Sequence, residues 1–166
     1  MDKKSQSLII ILTIISLYLV VIILILMESP ISSFSFIIRI CALLGFVSMA
    51  IAAIMSAFMV QLYKIFGKPF IKIHHFFAIS GLILATIHPI AFAISVYNPL
   101  VFIPVLHDWI LFWELAGRPA LILLYISALA GILRKKIKKS WKKIHALTYI
   151  ALFFGLIHGT LIGTSF

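Results

Sequence analysis

The stretch IHHFFAISGLILATIHP, residues 73–89, decides the fold because it places histidines inside an apolar run. The surrounding run extends from residue 74 to residue 97, and about 20 apolar residues are enough for a helix to cross a bilayer. Ionisable residues within a membrane are costly, and by default they mark a functional site. The stretch therefore predicts a membrane-spanning helix whose histidines have a chemical role.

The composition of the whole chain is typical of a membrane protein. Of its 166 residues, 64% are hydrophobic and 11% are charged, whereas about a quarter of the residues in a soluble domain are charged. The net charge is +10, but the basic residues lie in short tracts between apolar runs, which argues against nucleic-acid binding. The single cysteine, Cys41, excludes an internal disulfide and a cysteine-rich metal site. We expect one membrane domain over residues 1–166, with lipid as its solvent.

Five apolar segments predict five transmembrane helices and an all-α integral membrane fold. The segments lack the two-residue alternation of a membrane β-strand. The first is longer than the apolar core of a secretory signal, and no cleavage site follows it. The predicted spans are residues 7–27, 36–63, 74–97, 119–133 and 145–164. Segment 98–117 is apolar but carries prolines and charges, so we expect a re-entrant or interfacial piece on the outer surface.

The basic residues predict the orientation of the spans. They precede span one and fill the connections between spans two and three and between spans four and five: Lys3, Lys4, Lys64, Lys68, Lys72, Arg134, Lys135, Lys136, Lys138, Lys139, Lys142 and Lys143. With five spans these tracts share one side, which the positive-inside rule makes the cytoplasm. The other side would carry Glu28, Asp108, Glu114 and Arg118. We expect a multi-pass protein of the plasma membrane with a cytoplasmic N-terminus and an external C-terminus.

Five of the six histidines lie in spans three and five. His74 and His88 are 14 residues apart in span three, which places them on roughly one face, about 21 Å apart along the axis. His145 and His158 are 13 residues apart in span five, or about 20 Å. Because both spans run in the same direction, His74 should lie level with His145, and His88 level with His158. Two such pairs predict two haems stacked between spans three and five, each iron held by two imidazoles.

Two features of this pattern leave alternatives open. His75 competes with His74 for the inner site, although on an ideal helix His75 faces away from the outer histidine. Thirteen residues leave His158 about 140° from the direction of His145, so span five needs a kink or a tightened turn, for which Gly155 is a candidate. Histidines that only form hydrogen bonds between helices are the alternative without a cofactor.

Two motifs resemble the ferric-reductase-like transmembrane domain superfamily. The motif KIHH followed by ATIHP, within residues 72–89, resembles its third span. The motif WKKIH followed by His158, within residues 141–158, resembles its fifth span. That superfamily includes ferric reductases, NADPH oxidases and the haem-binding membrane subunit of the bacterial methionine sulfoxide reductase system. The resemblance covers about residues 36–164.

The resemblance implies two b haems, ligated by His74 with His145 and by His88 with His158. The spacings of 14 and 13 resemble those of the oxidases and favour His74 over His75. The resemblance also implies electron flow from a cytoplasmic donor to an outer acceptor, which would be a protein, ferric iron or another small molecule. We expect no flavin or nicotinamide site in this chain, so a separate flavoprotein reductase or a quinol should supply the electrons. The chain would then be the electron-transfer membrane subunit of an oxidoreductase, without a self-contained catalytic domain.

Arg39 is predicted to lie near the outer end of span two. An arginine at membrane depth needs an anion, and we expect it to bind a propionate of the outer haem. Snorkelling to the interface is the alternative role, and Arg118 is a second candidate for the propionate.

Two other functions are compatible with the sequence. Imidazoles along two spans would suit a permease for transition-metal ions, although intramembrane carboxylates are few. The chain would otherwise be a non-catalytic membrane anchor for a partner protein.

Overall fold

A computed structural model of the chain describes residues 2–27, 32–66 and 70–163, and these residues form helices and turns without any β-strand. Within these described residues, five helices are long and apolar enough to cross a membrane, as the sequence predicts. The described chain divides into two compact units, one ending at Ser95 and the other beginning at Val96. Glu28, Lys68 and residues 164–166, which enter the topology prediction, lie outside the described residues.

The described residues of the first unit form α1 (Lys3–Met27), α2 (Ser33–Ala57), α3 (Met59–Phe66) and α4 (Phe70–Ser95). The most extensive packing in this unit is between α2 and α4, and α1 packs against α2 and α3. The buried core forms where α2, α3 and α4 meet, from Ile51, Ala52, Met55, Leu62 and Phe77. The second predicted span, residues 36–63, therefore consists of α2 and the separate helix α3.

Small residues allow α2 and α4 to approach closely. A methyl group added at Gly81 would lie 2.6 Å from Met49 Cγ and 2.9 Å from the Met49 backbone nitrogen. One added at Gly45 would lie 3.0 Å from the backbone nitrogen of Ala85. Without a hydrophobic driving force between them, helices in lipid gain from such close backbone packing.

A buried hydroxyl pair joins α1 to α2. The Tyr18 and Ser48 hydroxyl oxygens are 2.5 Å apart, and Ser48 is 1% exposed. Because the Ser48 hydroxyl donates its proton to the Leu44 carbonyl at 2.7 Å, Tyr18 is the donor to Ser48. The Tyr18 ring also stacks on Phe77 at a centroid distance of 6.4 Å.

The second unit contains α5 (Trp109–Glu114), α6 (Gly117–Ile132), α7 (Trp141–His145) and α8 (Leu147–Gly163), with 3₁₀ turns at Pro99–Phe102 and Leu133–Lys135. Helix α6 packs against α7 and α8, and α5 packs against α8. The fifth predicted span, residues 145–164, corresponds to α8 together with the last residue of α7.

Segment 98–117 forms a short cap on α6 and α8. Its 3₁₀ turn is fixed by Arg118, whose guanidinium donates to the Ile103 carbonyl at 2.7 Å and to the Leu100 carbonyl at 3.4 Å. Asp108 caps α5 by accepting from the Leu111 N–H at 2.9 Å. An aromatic cluster then holds α5 against α8 through edge-to-face contacts among Phe112, Trp113, Phe153 and Phe154.

Candidate functional site

In the first unit, both candidate histidines of α4 bond to backbone carbonyls of α2. The His74 Nδ1 is 3.0 Å from the Ala52 carbonyl oxygen, and the His88 Nδ1 is 3.0 Å from the Ile38 carbonyl oxygen. A carbonyl oxygen only accepts, so Nδ1 carries the proton in both rings. The lone pair of each neutral imidazole is then on Nε2, and it is through such a lone pair that a neutral imidazole binds a metal.

The second unit repeats this chemistry. The His145 Nδ1 donates to the Ser127 carbonyl at 2.9 Å, and the His158 Nδ1 donates to the Glu114 carbonyl at 2.6 Å. All four histidines that the sequence singled out therefore have the same tautomer, and a backbone carbonyl orients each ring. This hydrogen bond also makes Nε2 a better electron donor to a metal.

The acceptor carbonyls have the same spacing as the histidines they bind. The interval from Ile38 to Ala52 equals the interval between the two histidines of α4. The interval from Glu114 to Ser127 equals the interval between the histidines of α7 and α8. In each unit the segment that carries the histidines runs antiparallel to the segment that carries the acceptor carbonyls. Equal spacing on the two segments therefore brings each histidine opposite one carbonyl.

A tightened turn in the second unit accompanies its shorter spacing. The Tyr149 N–H donates to the Ala146 carbonyl at 3.0 Å, three residues back, at the junction of α7 and α8. The Arg118 N–H likewise donates to the Leu115 carbonyl at 3.0 Å, at the junction of α5 and α6. A 3₁₀ turn has about 3.0 residues rather than about 3.6, so it advances the direction of later side chains. The turn expected in span five thus lies at Ala146, and Gly155 lies within α8.

Two hydroxyls bind the carbonyl of His145 at this junction. Ser127 donates to that carbonyl at 2.7 Å and Thr148 donates to it at 2.9 Å, and the two hydroxyls also contact each other. Ser127 therefore makes two hydrogen bonds to His145: its hydroxyl donates to the His145 carbonyl, and its own carbonyl accepts from the imidazole. Ser127 is 1% exposed, so these bonds are shielded from competing groups.

A second serine lies beside His74 in the first unit. The Ser56 hydroxyl is 3.3 Å from the His74 Nδ1 and donates to the Ala52 carbonyl at 3.1 Å. The Ser127 hydroxyl is likewise 3.3 Å from the His145 Nδ1. His74 and His145 therefore both have a serine hydroxyl next to the Nδ1–H bond.

Two glycines of α6 face the histidine rings of the second unit. A methyl group added at Gly117 would lie 2.7 Å from Cδ2 and 2.8 Å from Nε2 of His158. One added at Gly131 would lie 3.4 Å from the His145 Nδ1, an ordinary contact. Only glycine at residue 117 leaves room for the His158 ring in its observed position. Neither glycine was identified from the sequence. The available signal was their spacing in this apolar helix, which equals the spacing of the two histidines of α4.

The remaining candidates occupy other positions. His75 is exposed, and its ring centroid is 5.7 Å from that of His74; the carbonyl partner of His74 favours His74 as the ligand. Arg39 is half-buried in α2, next to the residue whose carbonyl binds His88, and its propionate role stays a prediction. Arg118 holds the 3₁₀ turn, which does not favour it as the propionate ligand.

Comparisons with protein-family models, with curated proteins and with solved structures found no match to this chain. The resemblance to the ferric-reductase-like superfamily therefore stays a prediction. The donor set itself fits haem: four imidazoles, each oriented by a carbonyl, at two spacings that agree within one residue.

Proposed function

We propose that this chain is a membrane-spanning b-type cytochrome, which carries electrons across the bilayer on two haems with paired histidine ligands. The observation that carries the proposal is the hydrogen-bond pattern shared by all four histidines. A histidine that only joins two helices can use either ring nitrogen. In all four histidines Nδ1 donates to a backbone carbonyl, which is the arrangement that supports metal ligation through Nε2.

The pairing follows from the order of residues along the chain. His74 follows the lysine tract that ends at Lys72, and His145 follows the tract that ends at Lys143, so both belong near the basic side of the membrane. We assign these two imidazoles to the inner haem and assign His88 with His158 to the outer one. Haem b, when bound, supplies an iron that alternates between the ferric and ferrous states.

The residues of the chain have three tasks in this function. The imidazoles of His74 with His145 and of His88 with His158 would each hold one haem iron between two histidines. The backbone carbonyls hold the rings in place, so little of the protein needs to move between redox states. Arg39 in α2 would bind a propionate of the outer haem, since an arginine in a span needs an anion.

Electrons would come from a separate flavoprotein reductase or a quinol on the cytoplasmic side. They would leave to a protein, ferric iron or another small molecule outside. In this proposal the N-terminus is cytoplasmic and the protein lies in the plasma membrane.

The decisive experiment is haem quantitation on the full chain purified from a haem-replete host. We expect a reduced-minus-oxidised spectrum of haem b with about two haems per chain. Alanine at position 74, 88, 145 or 158 should each remove about one haem, because that haem would then be held by a single histidine. His75→Ala and His107→Ala are the matched controls and should keep both haems. Colourless wild-type protein would contradict the proposal, and transition-metal uptake by that protein in liposomes would favour the permease instead.

A further inference from the structure

The connection between α6 and α7 is an ordered loop. Eight residues, 133–140, separate the end of α6 from the start of α7. Their backbone is held by successive turns: Lys136 N–H donates to the Leu133 carbonyl at 2.8 Å, and Trp141 N–H donates to the Ile137 carbonyl at 3.1 Å. We call residues 133–143 the basic loop.

The basic loop concentrates positive charge without any acidic residue nearby in the sequence. All seven of its cations are exposed: Arg134, Lys135, Lys136, Lys138, Lys139, Lys142 and Lys143. Residues 119–163 contain no aspartate or glutamate, so these helices and their loop cannot neutralise this charge. The loop therefore needs anions from outside this part of the chain.

The apolar residues of the basic loop mark its membrane side. Leu133, Ile137 and Trp141 recur every four residues and are all half-buried, whereas the cations between them are exposed. The Lys142 ammonium lies 5.9 Å from the centroid of the Trp141 ring. An apolar side with a tryptophan next to exposed lysines is typical of a segment at the level of the lipid headgroups.

The length of the loop also limits what it can reach. Eight residues between α6 and α7 cannot project far from the bilayer surface, so the cations stay close to the ends of these helices. Lipid phosphates lie at this level. We propose that the basic loop is a binding site for anionic phospholipid of the leaflet it faces, with the cations on the phosphates and Trp141 at the boundary of the acyl chains.

The proposed lipid site lies next to His145, one of the histidines proposed to bind haem. The Trp141 ring centroid is 6.1 Å from that of His145, and both residues belong to α7. A lipid that anchors Trp141 and the lysines on either side of it therefore also anchors the short helix that carries His145. The lipid site itself does not depend on the proposed haem.

The test measures binding of cardiolipin to the full chain in neutral detergent, by native mass spectrometry and by the shift in thermal unfolding. Each basic residue near a membrane surface adds about fivefold in affinity for anionic lipid. The triple variant Lys135→Gln, Lys138→Gln, Lys139→Gln should therefore bind cardiolipin on the order of a hundredfold more weakly than the wild type.

The matched control is Lys3→Gln, Lys4→Gln, Lys64→Gln, which removes the same charge from exposed lysines of the first unit. It should keep nearly wild-type cardiolipin binding. Equal loss in both triple variants would overturn the proposal, because net charge alone would then explain the binding. So would wild-type protein that is stabilised as well by inorganic phosphate or polyglutamate as by cardiolipin, because the loop would then bind any anion or an acidic protein. Both triple variants keep all four candidate histidines, so a failed haem proposal leaves the comparison of their lipid binding interpretable.

Discussion

In the first unit, the histidines and their carbonyl partners lie on two uninterrupted helices, α2 and α4. In the second unit, both segments are interrupted, one at the junction of α5 and α6 and the other at the junction of α7 and α8. Within each unit the histidines and the acceptors have equal intervals, and the interval of the second unit is shorter by one residue on both sides. Each unit thus keeps its own register, and 3₁₀ bonds at the two junctions accompany the shorter interval. Each histidine therefore lies opposite its carbonyl because the two intervals within a unit are equal, whatever their absolute length.

The glycines of the two units differ in what they approach. Gly45 and Gly81 allow one helix to approach the backbone of another, whereas Gly117 and Gly131 face imidazole rings. The same residue type therefore supports the fold in one unit and the candidate site in the other. Alanine substitutions separate these roles.

The largest effect on stability should come from Gly81→Ala in the first unit. The added methyl group would meet the backbone nitrogen of Met49 at 2.9 Å, so α2 and α4 would have to separate. We expect a loss of about 1–3 kcal/mol, typical of overpacking. Thermal unfolding in detergent measures it. Gly159→Ala is the control, because nothing lies within 4 Å of its added methyl group. Equal melting temperatures for the two variants would contradict the close approach.

In the second unit, Gly117→Ala should change the site more than the stability. The methyl group would displace the His158 ring, which is the end of a side chain and can rotate away. Rotation would break the bond from Nδ1 to the Glu114 carbonyl, so we expect weaker retention of one haem. Haem content and the low-spin electron paramagnetic resonance signal measure this loss. Gly131→Ala meets His145 only at 3.4 Å and should leave both unchanged. Identical spectra for the two variants would refute this distinction.

The smallest of these effects should follow Ser127→Ala. The variant keeps the carbonyl that accepts from His145 but loses the hydroxyl that donates to the His145 backbone at 2.7 Å. A lost hydrogen bond of this kind costs about 1 kcal/mol. Ser56→Ala, at an exposed serine of the first unit, should change stability by less than about 0.5 kcal/mol. Melting temperatures of the two variants test this order, and a larger loss for Ser56→Ala would reverse it.

The sequence predicts much of this architecture because lipid imposes a simple rule on composition. Runs of about 20 apolar residues had to be helices, and the part of the chain that the structure describes contains five such helices. Histidines in those runs stood out because ionisable groups there are rare. The break at Phe58 was not predicted, since residues 36–63 are largely apolar and no proline or glycine marks the boundary.

The rest of the candidate site was hidden for a physical reason. Its acceptors are backbone carbonyls, which every residue has, so Ile38 and Ala52 look like any other apolar residue. The tightened turn at Ala146 was equally hidden, because alanine favours helix. There the Ser127 and Thr148 hydroxyls bind the preceding carbonyl, and such a tertiary contact cannot be read from a local pattern.

The use of main-chain oxygens also determines how this protein can change during evolution. A point mutation at residue 38, 52, 114 or 127 replaces a side chain and leaves the carbonyl in place. Codon substitutions at these four positions therefore cannot delete an acceptor. Gain or loss of a single codon between two acceptors, or between two histidines, would rotate one partner away from the other unless the opposite segment changed length as well. Relatives of this chain should keep these acceptors whichever residues occupy the four positions, but they should change length only in paired steps.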